Sequence, residues 1–209
     1  MKLIVATPSP FARKVRVALI EKEIAFETAV DVPWNPGSMV ADQNPLGKVP
    51  VLMLDDGRVF YDSKVIVEYL ETLDLAPRLI PHDPGLRVAH RQIEALADGV
   101  CDALVLVVLE RNRKPELQSM DWIERQMRKI RAGTAEASRL LGAKEWFFGD
   151  RFGLADIAVG CMMGYLDLRL PEFGWRAIHP DLAAFAQKLA RRRSFELTVP
   201  AAQSIAEMR

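Results

Sequence analysis

Cysteine is almost missing from this 209-residue chain: there are two, Cys101 and Cys161, far apart and without paired spacing. Two isolated thiols build neither a disulfide framework nor a structural zinc site, and both read as small buried hydrophobes. Histidine is equally scarce. His82, His90 and His179 have no clustered carboxylate or cysteine beside them, so no metal constellation is expected. Neither sign of charge dominates, since 28 basic residues face 28 acidic ones without long blocks, which leaves no electrostatic footprint for nucleic acid or an anionic membrane. The short run Arg191-Arg192-Arg193 reads as a solvated helix end. Long apolar runs are lacking as well: residues 100–109 are interrupted by Asp102 and fall short of the roughly 20 residues that span a bilayer. The apolar start at 1–6 is too short for a signal peptide and meets Pro8 and Pro10 at once. A cytoplasmic protein without nucleic-acid or membrane partners is the expectation.

Half of the residues are hydrophobic, enough for one large or two small cores. Up to residue 77, short strand-like pieces (3–6, 26–30, 51–54, 59–61) alternate with helix-like ones (11–22, 63–73), which predicts a small α/β domain. Asp55-Asp56-Gly57-Arg58 suits a turn between two antiparallel strands. In the last of these helices Val65, Ile66, Tyr69, Leu70 and Leu73 are predicted to share one buried face. A proline-rich connection at 78–84 marks the boundary. Beyond it, 85–209 reads as an all-helical domain, with helices over 86–113, 116–141, 154–170 and 180–192. No internal repeat or low-complexity segment interrupts either part.

Four stretches carry a resemblance: Ser9-Pro10-Phe11-Ala12-Arg13-Lys14-Val15-Arg16, then Asn44-Pro45-Leu46-Gly47-Lys48-Val49-Pro50-Val51-Leu52, then Asp62-Ser63-Lys64-Val65-Ile66-Val67-Glu68-Tyr69-Leu70, and Ala155-Asp156 in the helical half. In that order, an α/β domain followed by helices resembles the cytosolic glutathione S-transferase family with a serine-type site. The resemblance spans essentially the whole chain. It implies a thioredoxin-like N-terminal domain (1–77) that binds glutathione, and an all-α C-terminal domain (85–209).

The chemistry at Ser9 is arguable from the residues. Where thioredoxin-like redox proteins begin the first helix with Cys-x-x-Cys, the comparable positions here are Ser9 and Ala12, which excludes dithiol exchange at this point. Noncovalent activation of a thiol remains. Lowering a thiol pKa by about two units takes about 2.7 kcal/mol. A hydrogen bond to an ionised acceptor supplies about 1.5–3 kcal/mol and a helix N-terminus about 0.3–1, so one hydroxyl at one helix start suffices. Taken alone, Ser9 reads simply as an N-cap, with Pro10 at the first helical position.

The resemblance implies further roles. Val49-Pro50 is expected to carry a cis bond and to offer the Val49 backbone to the cysteinyl part of glutathione, where the residues alone also allow a trans proline at a strand start. Asp62 is expected to face the γ-glutamyl ammonium and Ser63 its carboxylate, although both are ordinary capping residues in isolation. Phe11 and Lys48 complete the glutathione-binding set, with Asn35 and Lys48 as candidates for the glycyl carboxylate. Cys101, Val105, Val108 and Tyr165 are candidates for a second-substrate site, together with Leu104 and Trp122. Asp98, four residues before Asp102 on one helix face, is a candidate for support from a second subunit of a homodimer. The family's Ser/Thr-x-x-Asp capping box reads Gly153-Leu154-Ala155-Asp156 here, so its hydroxyl half is lost.

The activity implied is that of a glutathione transferase, with the thiolate attacking a small electrophile or peroxide and no metal needed. A dehalogenase or isomerase would use the same thiolate for a narrower reaction. A glutathione-binding, non-catalytic protein acting through partners, of the stress- or transcription-associated kind, is the alternative from another class.

Overall fold

The structure, a computed structural model, describes residues 1–203. These group into two units, one made of Met1–Leu79 and the described part of Arg193–Arg209, the other of Ile80–Arg192. The first unit opens with β1 (Lys2–Val5), α1 (Pro10–Glu21), β2 (Glu27–Val30) and a short α2 (Val40–Gln43), and continues with β3 (Val51–Met53), β4 (Val59–Phe60) and α3 (Ser63–Thr72). The strands form one mixed sheet in the order β2-β1-β3-β4. β1 runs parallel to β2, with Val5 opposite Val30, and antiparallel to β3, with Ile4 opposite Val51. This is the thioredoxin-like arrangement that the resemblance implies, and it contains the small α/β domain that the alternation of short apolar segments predicts.

Local chemistry explains the junctions. Between β3 and β4, Gly57 takes φ +87°, which a side chain disfavours, while the Arg58 N–H donates to Asp56 Oδ1 at 3.0 Å. Helix α1 buries Ala12, Val15, Ala18 and Leu19, an i, i+3, i+6, i+7 stripe. Helix α3 is rotated from the expected face. Ile66, Val67, Leu70 and Glu71 are buried, but Val65 is 47% exposed. The apolar count around this helix exceeds one stripe, and Val67 rather than Val65 turns inward.

Glu71 is on that buried face because it has a partner. Lys22, which follows the last turn of α1, is fully buried and sits 2.9 Å from Glu71 Oε1. Its ammonium also donates to the carbonyls of Leu75 (2.9 Å) and Pro77 (3.0 Å), and Glu71 Oε1 accepts the Leu79 N–H at 3.2 Å. One ion pair therefore ties the ends of α1 and α3 to the segment leading out of the unit.

The second unit contains α4 (Pro84–Arg111), α5 (Met120–Leu141), α6 (Leu154–Arg169), a four-residue α7 (Trp175–Ile178) and α8 (Pro180–Ala190). The helix expected from residue 116 starts later. Pro115–Leu117 is a single 3-10 turn, and Ser119 caps α5 by accepting the Trp122 N–H at 3.3 Å. Gly133 of α5 lies against α4 so closely that a Cβ there would stand 2.3 Å from Val100 Cγ2. Arg192 is less solvated than a basic helix end suggests, because its guanidinium packs 3.9 Å from the Phe152 ring centre.

The incomplete capping box at α6 is completed from elsewhere. Asp156 Oδ2 accepts the Gly153 N–H at 2.8 Å, which is the retained half, and Oδ1 accepts the Phe147 N–H at 2.9 Å. In place of the missing hydroxyl, His90 Nδ1 of α4 accepts the Ala155 N–H at 3.2 Å, at the second residue of α6. His90 is buried beside Phe148, with ring centres 4.5 Å apart. Burial pushes His90 down to about 4, so it stays a neutral acceptor. Burial also pushes Asp156 up to about 6, against the pull of its backbone donors.

The chain then returns to the first unit through α9 (Arg193–Glu196). Arg13 of α1 reaches this tail through the Phe195 carbonyl (3.3 Å) and Thr198 Oγ1 (3.4 Å).

Glu71→Ala leaves Lys22 buried without its counter-ion and is expected to cost about 3–5 kcal/mol in urea unfolding. Lys22→Met with Glu71→Leu together removes the uncompensated charge but also the partners of the Leu79 N–H and of the Leu75 and Pro77 carbonyls, and is expected to cost less than Glu71→Ala alone without reaching wild-type stability. His90→Leu leaves the Ala155 N–H without an acceptor and is expected to cost about 1–3 kcal/mol at pH 7. The native His90 pKa lies below the unfolded value near 6.5, so its contribution is complete above that value and is lost as pH falls towards about 4. The raised pKa of Asp156 acts in the opposite direction, adding stability as pH falls through about 6. It does so in both proteins. The gap between wild type and His90→Leu, read from melting temperatures, therefore narrows from pH 7 to pH 4.5.

Candidate functional site

Sheet register decides which loops meet. With β1 antiparallel to β3 and Ile4 opposite Val51, the chain leaving β1 towards Ser9 emerges at the end where Val49 and Pro50 enter β3. With Leu52 opposite Phe60, β4 also runs out at that end, and there it meets Asp62 and Ser63. The loop after β2 leaves from the same end, where the Asp31 N–H donates to the Val5 carbonyl at 2.9 Å. Ser9, Val49-Pro50 and Asp62-Ser63, separated by as much as a quarter of the chain, thus share one end of one sheet.

Ser9 is half-buried at the N-terminus of α1, in extended backbone conformation. Its N–H donates to the Ala6 carbonyl at 3.0 Å, which closes a tight turn over Thr7 and Pro8, and its Oγ accepts the Ala12 N–H at 3.2 Å. The N-cap and thiol-ligand readings are therefore compatible. The cap uses an oxygen lone pair and leaves the hydroxyl proton available to another acceptor. Pro10 contributes no N–H, and Phe11, half-buried at the second helical position, places its N–H in the first turn where helix geometry provides no intrahelical acceptor. The arrangement suits an anion in front of the helix.

The Val49-Pro50 peptide bond is cis, as are Tyr61-Asp62 and Ala76-Pro77. Val49 is half-buried and Pro50 buried. The loop before them is held by Asn44, a residue whose role sequence reasoning missed. Asn44 is 1% exposed, its Nδ2 donates to the Lys48 carbonyl at 2.8 Å, and its Oδ1 accepts the Leu46 N–H at 3.0 Å. An Asn one residue ahead of Pro-x-Gly is the local signal for such a loop clamp. Lys48 has an exposed side chain, and Asn35 lies in the loop between β2 and α2.

Asp62 is the N-cap of α3. Its Oδ1 accepts the Lys64 N–H at 2.9 Å, and the residue is exposed. Ser63, the first helical residue, is buried.

The remaining candidates lie in the second unit. Asp98 and Cys101 on α4 are buried, Val105 and Val108 are half-buried, and Tyr165 on α6 is 6% exposed, with burial pushing its hydroxyl up to about 12. Leu104 belongs to the core, whereas Trp122 is 40% exposed. The expected pairing of Asp98 with Asp102 on one face separates, because Asp98 turns inward and Asp102 outward. Cys101 and Cys161 are both buried thiols. Among the described residues no group of histidine, cysteine and carboxylate side chains forms a metal site, and no helix is long and apolar enough to cross a membrane.

The chain thus combines a thioredoxin-like domain and a helical domain, with a capping serine, a cis-proline loop and an Asp-Ser helix start at one sheet end. Residues 8–73 match the glutathione S-transferase N-terminal domain and residues 120–188 the C-terminal domain, and the chain belongs to the glutathione S-transferase family. It is 40% identical to the uncharacterized GST-like protein YibF of Escherichia coli K12, over 96% of this chain and 98% of that one. It is similar to a solved glutathione S-transferase from Methylobacterium radiotolerans in complex with glutathione sulfonate, with a TM-score of 0.97 and 49% identity over 99% and 98% of the two chains. A second, from Methylobacillus flagellatus with glutathione bound, gives a TM-score of 0.91 and 44% identity, covering 96% and 99%.

The observed cap yields a prediction independent of any ligand. Ser9→Ala is expected to lower stability by about 0.5–2 kcal/mol, and Ser9→Asn, which retains a capping oxygen, by less. Urea unfolding of the ligand-free protein measures both.

Proposed function

We propose that this protein is a glutathione transferase in which the Ser9 hydroxyl holds the sulfur of glutathione as a thiolate for attack on a small electrophile or peroxide. The observation that carries the reading is the geometry at Ser9: its oxygen is already engaged by the Ala12 N–H at 3.2 Å, which orients the hydroxyl and leaves its proton to donate. A hydroxyl that accepts one hydrogen bond is polarised to give a stronger one. Val49 offers backbone N–H and C=O to the cysteinyl portion, and Asp62 and Ser63 receive the γ-glutamyl ammonium and carboxylate, with Phe11 and Lys48 flanking. The relatives support glutathione as the ligand, since one is solved with glutathione and the other with its sulfonate, a derivative whose sulfur end is anionic.

In this reading Cys101, Val105, Val108 and Tyr165 belong to the second-substrate site, and the protein works as a homodimer. The dimer is favoured by an exposed stripe along α4, where Val88 (67% exposed) and Leu106 (37%) flank the small residues Ala95 and Gly99. No metal takes part.

Titrating the protein with glutathione while following thiolate absorbance tests the reading. The bound thiol is expected to ionise well below its free pKa. Ser9→Ala should raise that pKa by about 1–2 units, the equivalent of one hydrogen bond to an anion, and slow conjugation of an aryl halide about 10- to 100-fold at neutral pH. Absence of binding defeats the glutathione reading, and an unchanged pKa in Ser9→Ala defeats only the role of Ser9. Tight binding with no conjugation of any electrophile favours the alternative, a glutathione-binding scaffold acting through partners.

A further inference from the structure

The tail that follows α8 lies along α1 from one end to the other. Ser194 Oγ donates to Glu21 Oε1 near the C-terminus of α1. The Phe195 carbonyl and Thr198 hydroxyl take the Arg13 guanidinium, and the Leu197 carbonyl accepts from Arg16 at 3.1 Å. The segment then passes Pro200 and reaches the loop that bears Ser9. There the Thr7 N–H donates to Gln203 Oε1 at 3.1 Å, and Thr7 Oγ1 donates to the Ala201 carbonyl at 3.2 Å.

Thr7 occupies the second position of the turn closed by the Ser9 N–H and the Ala6 carbonyl. The turn itself does not use the Thr7 N–H, so an acceptor from outside sets the tilt of the Thr7-Pro8-Ser9 peptides. Two hydrogen bonds from one segment fix both a backbone and a side-chain group of that residue, and the segment is anchored at three further places on the helix that Ser9 caps. We propose that residues 194–203 form a splint for α1 and that Gln203 is a positioning residue, acting through Thr7 to aim the Ser9 hydroxyl at the glutathione sulfur. Gln203 touches neither the sulfur nor the electrophile; its effect is on geometry, where small displacements of a hydrogen-bond donor weaken stabilisation of an anion.

The inference rests on Ser9 acting on the thiol, and the test separates the two. Gln203→Leu, Thr7→Val, Thr7→Ser and Ser9→Ala are made in the full chain, with Gln203→Leu also combined with Ser9→Ala. For each, glutathione affinity, the pKa of the bound thiol and the rate of aryl halide conjugation are measured. Gln203→Leu and Thr7→Val are each expected to raise the thiol pKa and slow conjugation about 2- to 10-fold at pH 6.5, the span of one hydrogen bond, with glutathione affinity changed less than 2-fold. Thr7→Ser, which keeps the hydroxyl, should match wild type. Over Ser9→Ala, Gln203→Leu should add no further pKa change. If Gln203→Leu and Thr7→Val lower the melting temperature but leave the thiol pKa in place while Ser9→Ala moves it, the splint is only structural and the proposal fails alone. If Ser9→Ala leaves the pKa in place, the role of Ser9 and that of Gln203 fail together.

Discussion

The pairing of Ile4 with Val51 is the constraint on which the rest of the first unit depends. Strand side chains alternate between faces, so a slip of one residue would turn buried Leu3 and Leu52 to the opposite side and carry the loop ends out of line. Burial of these residues holds the register. The register in turn delivers three loops, distant in sequence, to one end of the sheet. Binding chemistry can then be divided among short segments, because none of them has to find the others. Helix α1 adds direction: its N-terminus opens where the loops converge, and its C-terminus is tied to α3 by Lys22 and Glu71.

Much of this was legible in the sequence, and the reasons are local. The element order of the first unit follows from short apolar segments and turn residues, each of which acts over a few positions. Ser9 as a cap, Asp62 as a cap and the turn at Gly57 all involve hydrogen bonds within three residues. What escaped notice spans longer separations. Lys22 and Glu71 lie far apart in sequence, and the fold alone brings them together. Val65 and Val67 are equivalent in apolar character, and only packing chooses between them. Asp98 and Asp102 share a helix face by spacing, yet they divide between interior and solvent at its edge.

The tail is the clearest case of information that periodicity does not contain. Residues 197–203 form no regular element beyond α9, and their hydrogen bonds go to groups almost the full chain length away. Proline at 200 and small residues after it suggest a loop, and nothing in such a loop announces where it docks. Its docking is instead written in α1, whose Arg13 and Arg16 lie one turn apart and present two guanidinium groups to carbonyls arriving from elsewhere. Cationic side chains on an otherwise apolar helix face mark a place where backbone carbonyls are to be received.

The histidine at the start of α6 has a consequence for how the second unit is held. Gly153 is in extended backbone, with φ −158° and ψ −164°, a conformation open to serine or threonine, yet it carries no hydroxyl, and the Ala155 N–H is taken by His90 of α4 instead. A capping bond made within a helix start stabilises that helix alone, whereas one made by a neighbouring helix stabilises the pair. The start of α6 is therefore a joint between two helices, and its hydrogen bond is lost whenever α4 and α6 separate.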